Sequence, residues 1–190
     1  MFLISQNIDS YDVDLPENSV FRINLAWCNS LNDLKLKLEK HPNMKFFVDL
    51  PIGRLKPPNN RYTLDEMIPL INKFTNIHYF AISNVETRDD LQLFIEKLPS
   101  RVNIVPKIES PLAIKNIEEI CNSLQTKTKI VMLDHDDLFS SIIKNNENKE
   151  KFQEYIKILI DYCNDNQISL LRTVGVIFSD DEKRTTQYIK

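Results

Sequence analysis

Apolar positions along the chain follow two periods in turn. Short runs rich in Val, Ile, Leu and Phe at residues 2–4, 20–25, 45–50, 78–83, 102–108, 130–133 and 168–173 read as β-strands. In the second run Phe21, Ile23 and Leu25 fall on one face, and Arg22 and Asn24 on the other. Between the runs the spacing becomes helical. Leu31, Leu34 and Leu38 form one stripe, and Met67, Leu70, Ile71 and Phe74 a second. Leu91, Phe94, Ile95 and Leu98 form the next, followed by Ile114, Ile117, Cys121 and Leu124. The longest stripe runs Phe152, Tyr155, Ile156, Leu159, Ile160, Cys163. Helix starts are signalled by Ser30 with Asp33, Thr63 with Glu66 and Thr87 with Asp90, and by Ser110 before Pro111. Pro69 inside its stripe implies a kink. Residues 5–18 and 51–60 read as loops, 144–151 as a polar loop or helix lead-in, and the stretch after Phe178 as a short helix or frayed end.

Strand and helix alternate strictly, which predicts a parallel sheet with helices outside it. A barrel is the natural closure, but it needs eight strands and seven are found. The expectation is one α/β domain over residues 1–190, a TIM (β/α)8-type barrel shortened or incomplete at its C-terminal end. Exposed strand edges in such a barrel need cover, which predicts a homodimer.

Composition narrows the function classes. The 190 residues carry a formal charge of −3, with neither the basic excess of a nucleic-acid binder nor an acidic tail. No apolar span of membrane length and no cleavable signal is visible, which predicts no membrane partner and a cytoplasmic protein. Cys28, Cys121 and Cys163 lie far apart, and the last two fall on apolar helix faces, where a thiol packs. Gly53 and Gly175 are the only glycines, so no glycine-rich loop can cradle a nucleotide phosphate.

Candidate chemistry gathers at the C-terminal ends of the strands, where parallel α/β folds bind ligands. Asp49, Glu109 and Asp137 lie there, and strand alternation points Lys107 and Glu109 the same way, away from Ile108. A cation and carboxylates so placed would make an anion-plus-metal site; equally, they fit charged strand exits joined by a structural salt bridge. His135, flanked by acids, reads as a metal ligand, a base or a loop residue. His41 and His78 have no such company, and Trp27 reads as packing or as a roof over the site.

Several of these segments resemble the pyruvate kinase family. Residues 82–91 are similar to its A-L-S-F-V-R-S-A-x-D segment. Pro106-Lys107-Ile108-Glu109-Ser110, with Asn116 and Glu119-Ile120 downstream, resembles its A-K-I-E-N…N-x-x-E-I. Residues 131–138 stand where that family has M-V-A-R-G-D-L, Arg22-Ile23-Asn24-Leu25 where it has R-L-N-F, and Val48-Asp49-Leu50 at its L-D-x-K-G-P-E-I-R strand. Leu171-Arg172-Thr173 resembles its A-T-Q strand. The likeness is colinear from about residue 20 to 178. It implies a barrel of the phosphoenolpyruvate/pyruvate superfamily and a set of roles. Lys107 would neutralise an enolate, Glu109 and Asp137 would hold Mg²⁺ or Mn²⁺, and Thr173 would stand beside the substrate carboxylate. Arg22 would bind a phosphoryl group, with Asp136 on the substrate side. Asn24 and Asp49 would ligate K⁺, or Arg54 would replace that ion. The substrate implied is phosphoenolpyruvate or another small 2-keto acid.

The departures are specific. Ala26 replaces the family's serine, and Asp134-His135-Asp136-Asp137 replaces A-R-G-D. About a dozen residues follow the third strand where pyruvate kinase inserts its lid. Ile108-Glu109-Ser110 through Ile120, with Asp137-Leu138, also resembles the metal-dependent aldolases of the HpcH/HpaI type and citrate-lyase-β-like lyases, which imply C–C cleavage instead. A non-catalytic metabolite-binding relative is the third expectation.

Overall fold

The structure, a computed structural model, describes residues 2–4, 18–54, 57–172, 177–178 and 184–185. Seven strands follow in chain order: β1 (Phe2–Ile4), β2 (Ser19–Asn24), β3 (Lys45–Leu50), β4 (Ile77–Ile82), β5 (Asn103–Ile108), β6 (Ile130–Leu133) and β7 (Ser169–Arg172). They pair in that same order, every pair parallel, into one curled sheet, a half-barrel compatible with a TIM-like architecture. Among the described residues β7 does not pair with β1, so the sheet stays open.

The helices are α1 (Leu31–Lys40), α2 (Leu64–Lys73), α3 (Asp89–Lys97), α4 (Pro111–Lys115), α5 (Ile117–Ser123), α6 (His135–Lys144) and α7 (Lys151–Asp165). Strand alternation sends Phe21, Phe46, Val48, Phe80, Ile82, Ile108, Val131 and Leu133 to the helix-covered face, where they join the helix stripes in one core. The opposite face packs only on itself, with Val20, Phe47, Ala81, Val105, Ile130 and Met132 in contact as in the interior of a barrel.

Most local signals act as expected. Thr63 and Glu66 form a complete capping box on α2, and the helix runs unbroken through Pro69. Thr63→Ala should lower the unfolding free energy by about 1 kcal/mol in urea denaturation, because it removes the acceptor of the Glu66 N–H. Ser110 caps α4 with Pro111 at the first helical position. The stripe from Ile114 to Leu124 is broken into two helices at Asn116, whose amide donates to the Glu86 carbonyl (3.0 Å). Cys121 and Cys163 are buried, and burial pushes their thiols up to about 12 and about 11, so both are inert packing residues.

Helix α6 begins directly after β6, over residues for which the sequence pattern predicts no element; Leu138 and Ile142 anchor it in the core. Beyond Phe178, where a short helix or frayed end is expected, the described residues Arg184–Thr185 pair antiparallel with Ile177–Phe178 as β9 with β8. Among the described residues no helix is long and apolar enough to cross a membrane.

Candidate metal and anion site

The inner face of β2 to β6 ends in a compact charge cluster. On β2, Phe21 and Ile23 turn to the helices, which leaves Arg22 and Asn24 facing inward. Pairing with β3 sets Asn24 beside Asp49 and brings Arg22 onto the same carboxylate. Arg22 donates through Nε (3.1 Å) and a terminal nitrogen to Asp49 Oδ2. Asp49 is fully buried, and its other oxygen, Oδ1, has no hydrogen-bond partner.

Lys107 lies at the centre, 5 % exposed. Its Nζ is 2.6 Å from Glu109 Oε1, 3.7 Å from Asp49 Oδ2 and 3.9 Å from Asp134 Oδ2, and it donates to Ser83 Oγ at 3.2 Å. Burial opposes its charge, but the carboxylates of Asp49 and Glu109 outweigh that, and Lys107 is held above the ordinary lysine range. Glu109 is shifted upward by burial, against the opposing pull of Lys107 and the Asn84 N–H. The Lys107–Glu109 contact is a buried ion pair. Glu109 Oε2 instead accepts the backbone N–H of Asn84 at 2.6 Å.

Asn84 stands in the left-handed region at φ 55°, which Asn tolerates better than most residues. Its side chain donates to the Ile52 carbonyl at 2.6 Å. Gly53, at φ 72°, bends the loop after β3 so closely past it that a Cβ there would lie 3.2 Å from Asn84 Nδ2.

Glu109, Asp134 and Asp137 offer carboxylate oxygens within 4.8 Å of one another. Three hard oxygen donors suit Mg²⁺ or Mn²⁺. The charge count agrees: Arg22 and Lys107 stand against Asp49, Glu109, Asp134 and Asp137, two bases to four acids. Above them opens a cavity of about 370 Å³ lined by Asn24, Lys107, Glu109, Asp137 and Arg54, among others.

The expected residues are thus only partly brought together. Lys107, Glu109 and Asp137 converge as expected, and Asp134 joins them. Asp136 is exposed on α6 and does not line the cavity, because it is one helical step from Asp137 and points elsewhere. The residues expected to ligate a monovalent cation have protein partners of their own. Asn24 Oδ1 accepts the Ala26 N–H (3.0 Å), and Asp49 already faces Arg22 and Lys107. Arg54 lines the cavity and donates through Nε to the Pro58 carbonyl (2.8 Å), so the cation at Asp49 is Arg22 instead. His135 turns to Phe152, ring centroids 6.3 Å apart, and to Arg172. Trp27 is 70 % exposed rather than packed. Thr173 lies outside the described residues.

No family model and no curated protein matches the sequence. Among solved structures the fold is similar to that of RipC from Yersinia pestis, with a TM-score of 0.59 and 16% identity over 85% of this chain and 72% of that one. At that identity the likeness is one of fold.

Proposed function

We propose that the chain is a divalent-metal-dependent enzyme that acts on a pyruvate-type 2-keto acid through its enolate. The observation that carries this reading is the juxtaposition of Lys107 with the Glu109–Asp134–Asp137 carboxylates on the floor of one cavity. A divalent ion held by those three would act as a Lewis acid on the oxygens of a bound 2-keto acid. Lys107, its ammonium flanked by Asp49 and Glu109, meets developing enolate charge as a cation. Ser83 and Asp49 hold its ammonium in place, and Arg22 balances Asp49. The dry floor, where Lys107 and Glu109 are 5 % and 3 % exposed, strengthens each of these interactions.

Two reaction classes use such a site. Phosphoryl transfer from phosphoenolpyruvate asks Arg22 to bind the phosphoryl group. Arg22 is bound to buried Asp49 and would have to leave that carboxylate to take a phosphoryl group. C–C cleavage or formation at a 2-keto acid makes no such demand, and the Arg22–Asp49 pair favours it.

Calorimetric titration with MnCl₂, followed by oxalate, pyruvate and phosphoenolpyruvate, tests the reading. Mn²⁺ should bind, oxalate and pyruvate should bind only with Mn²⁺ present, and Glu109→Gln should weaken Mn²⁺ by at least about tenfold, ~1.4 kcal/mol. Phosphoenolpyruvate affinity that depends on Arg22 would shift the assignment to phosphoryl chemistry. Absent Mn²⁺ binding, or binding unchanged in Glu109→Gln, would leave a non-catalytic protein.

A further inference from the structure

Strand register sets Ser83 against Lys107. Tyr79 pairs with Asn103 and Ala81 with Val105, so the same offset carried forward places Ser83 beside Lys107 at the ends of β4 and β5. Ser83 shares parity with Ala81, which packs on the inner face, and therefore turns inward as Lys107 does. Its N–H donates to the Leu50 carbonyl (3.3 Å), and the next residue, Asn84, gives its own N–H to Glu109. One short turn thus touches both members of the buried Lys107–Glu109 pair. Ser83 is 7 % exposed and lines the cavity. A hydroxyl accepts through two lone pairs and donates one hydrogen. Ser83 Oγ accepts from Lys107 Nζ at 3.2 Å, and its own hydrogen has no acceptor among the described residues. Lys107 also has a donor to spare. Of its three N–H groups, Ser83 takes one and Glu109 Oε1, at 2.6 Å, faces another, while Asp49 at 3.7 Å and Asp134 at 3.9 Å lie beyond hydrogen-bond range. An N–H and an O–H are therefore left on atoms 3.2 Å apart at the floor of one cavity. A ligand oxygen about 2.8 Å from both would satisfy each at ordinary length.

We propose that Ser83 contacts the ligand: its hydroxyl donates to the oxygen of the bound 2-keto acid that carries the enolate charge, and with Lys107 it forms a two-donor oxyanion site. This rests on the 2-keto acid reading of the cavity floor. Lys107 supplies charge; Ser83, a neutral donor held by that same lysine, supplies direction. The two roles of the hydroxyl reinforce each other, because giving its hydrogen to an anion makes Oγ a better acceptor for Lys107. The bond is also stronger to an enolate oxygen than to a ketone oxygen, so it favours the charged state of the ligand over the neutral one.

The test is calorimetry of the full chain with Mn²⁺ present. The probe is oxalate, which like a pyruvate enolate carries charged oxygens on adjacent carbons. Ser83→Ala and Ser83→Cys should each weaken oxalate about tenfold, the cysteine keeping nearly the size of serine but only a weak donor. Mn²⁺ affinity should stay close to the wild-type value in both. In a Lys107→Met background, where Mn²⁺ still chelates oxalate, Ser83→Ala should cost at least about threefold again. That background separates a donor from a support, since a serine that only positions Lys107 has nothing left to lose there. The urea midpoint shows that each variant is folded, and Ser83→Cys carries the test if Ser83→Ala does not fold. Oxalate affinity unchanged in both single variants, or a loss that disappears in the Lys107→Met background, overturns the assignment. A parallel loss of Mn²⁺ binding overturns it too, because Ser83 would then act through the carboxylates. Wild-type protein that takes up Mn²⁺ but no oxalate overturns the 2-keto acid reading of the floor as well.

Discussion

Asp49→Ala is expected to lower the unfolding free energy by about 3–5 kcal/mol, the cost of removing one partner from a buried ion pair. Asp49 is fully buried and takes two donor contacts from Arg22, with Lys107 3.7 Å from the same oxygen. Without it, two cations share a buried corner, and Arg22 keeps no acid partner among the described residues. The double variant Arg22→Met/Asp49→Leu should be markedly less damaging, because it removes charge of both signs and leaves Lys107 with Glu109. Urea unfolding of the three proteins at one pH measures this. A loss under about 1 kcal/mol in Asp49→Ala would be the behaviour of a solvated surface pair and would contradict the burial of this one.

Lys107→Met is the second large effect, and it has two opposite parts. On the proposed function, turnover of a 2-keto acid should fall by about 10²–10³-fold, the loss found when one preorganised group facing developing negative charge is removed. Mn²⁺ affinity should rise in the same variant, because the Nζ group 2.6 Å from Glu109 Oε1 competes with any cation for that carboxylate. A structural lysine would not give this split. Lost turnover with weakened Mn²⁺ binding would mean that Lys107 holds the carboxylates in place instead of competing for them.

The sheet was readable from the chain because each strand announces itself with its own apolar run, and all seven expected runs form strands in order. That Lys107 and Glu109 share a face also follows from alternation alone. What alternation cannot supply is register. The pairing of Lys107 with Met132 carries forward to place Glu109 level with Asp134, and only that offset brings Asp134 into the cluster. Ile130, Met132 and Asp134 share parity, but in sequence Asp134 is one of four consecutive polar residues, Asp134-His135-Asp136-Asp137, that alternation alone does not sort. That run is also a helix start: Asp134 caps α6 by accepting the Asp137 N–H, and the same residue stands beside Lys107. Arg22 and Asp49 were each assigned a separate ligand for the same reason. Their pairing depends on β2 lying directly beside β3, a neighbour relation that single-strand patterns do not contain.

Asn84 has a consequence for anyone who would re-engineer this protein. Its N–H holds Glu109, its amide holds the Ile52 carbonyl, and Gly53 leaves it the room to do both. The rim loop and a carboxylate of the floor are therefore mechanically linked through one residue. Grafting a foreign loop over residues 51–54 to change what enters the cavity would also retune Glu109, so selectivity and affinity at this mouth are not independent design variables.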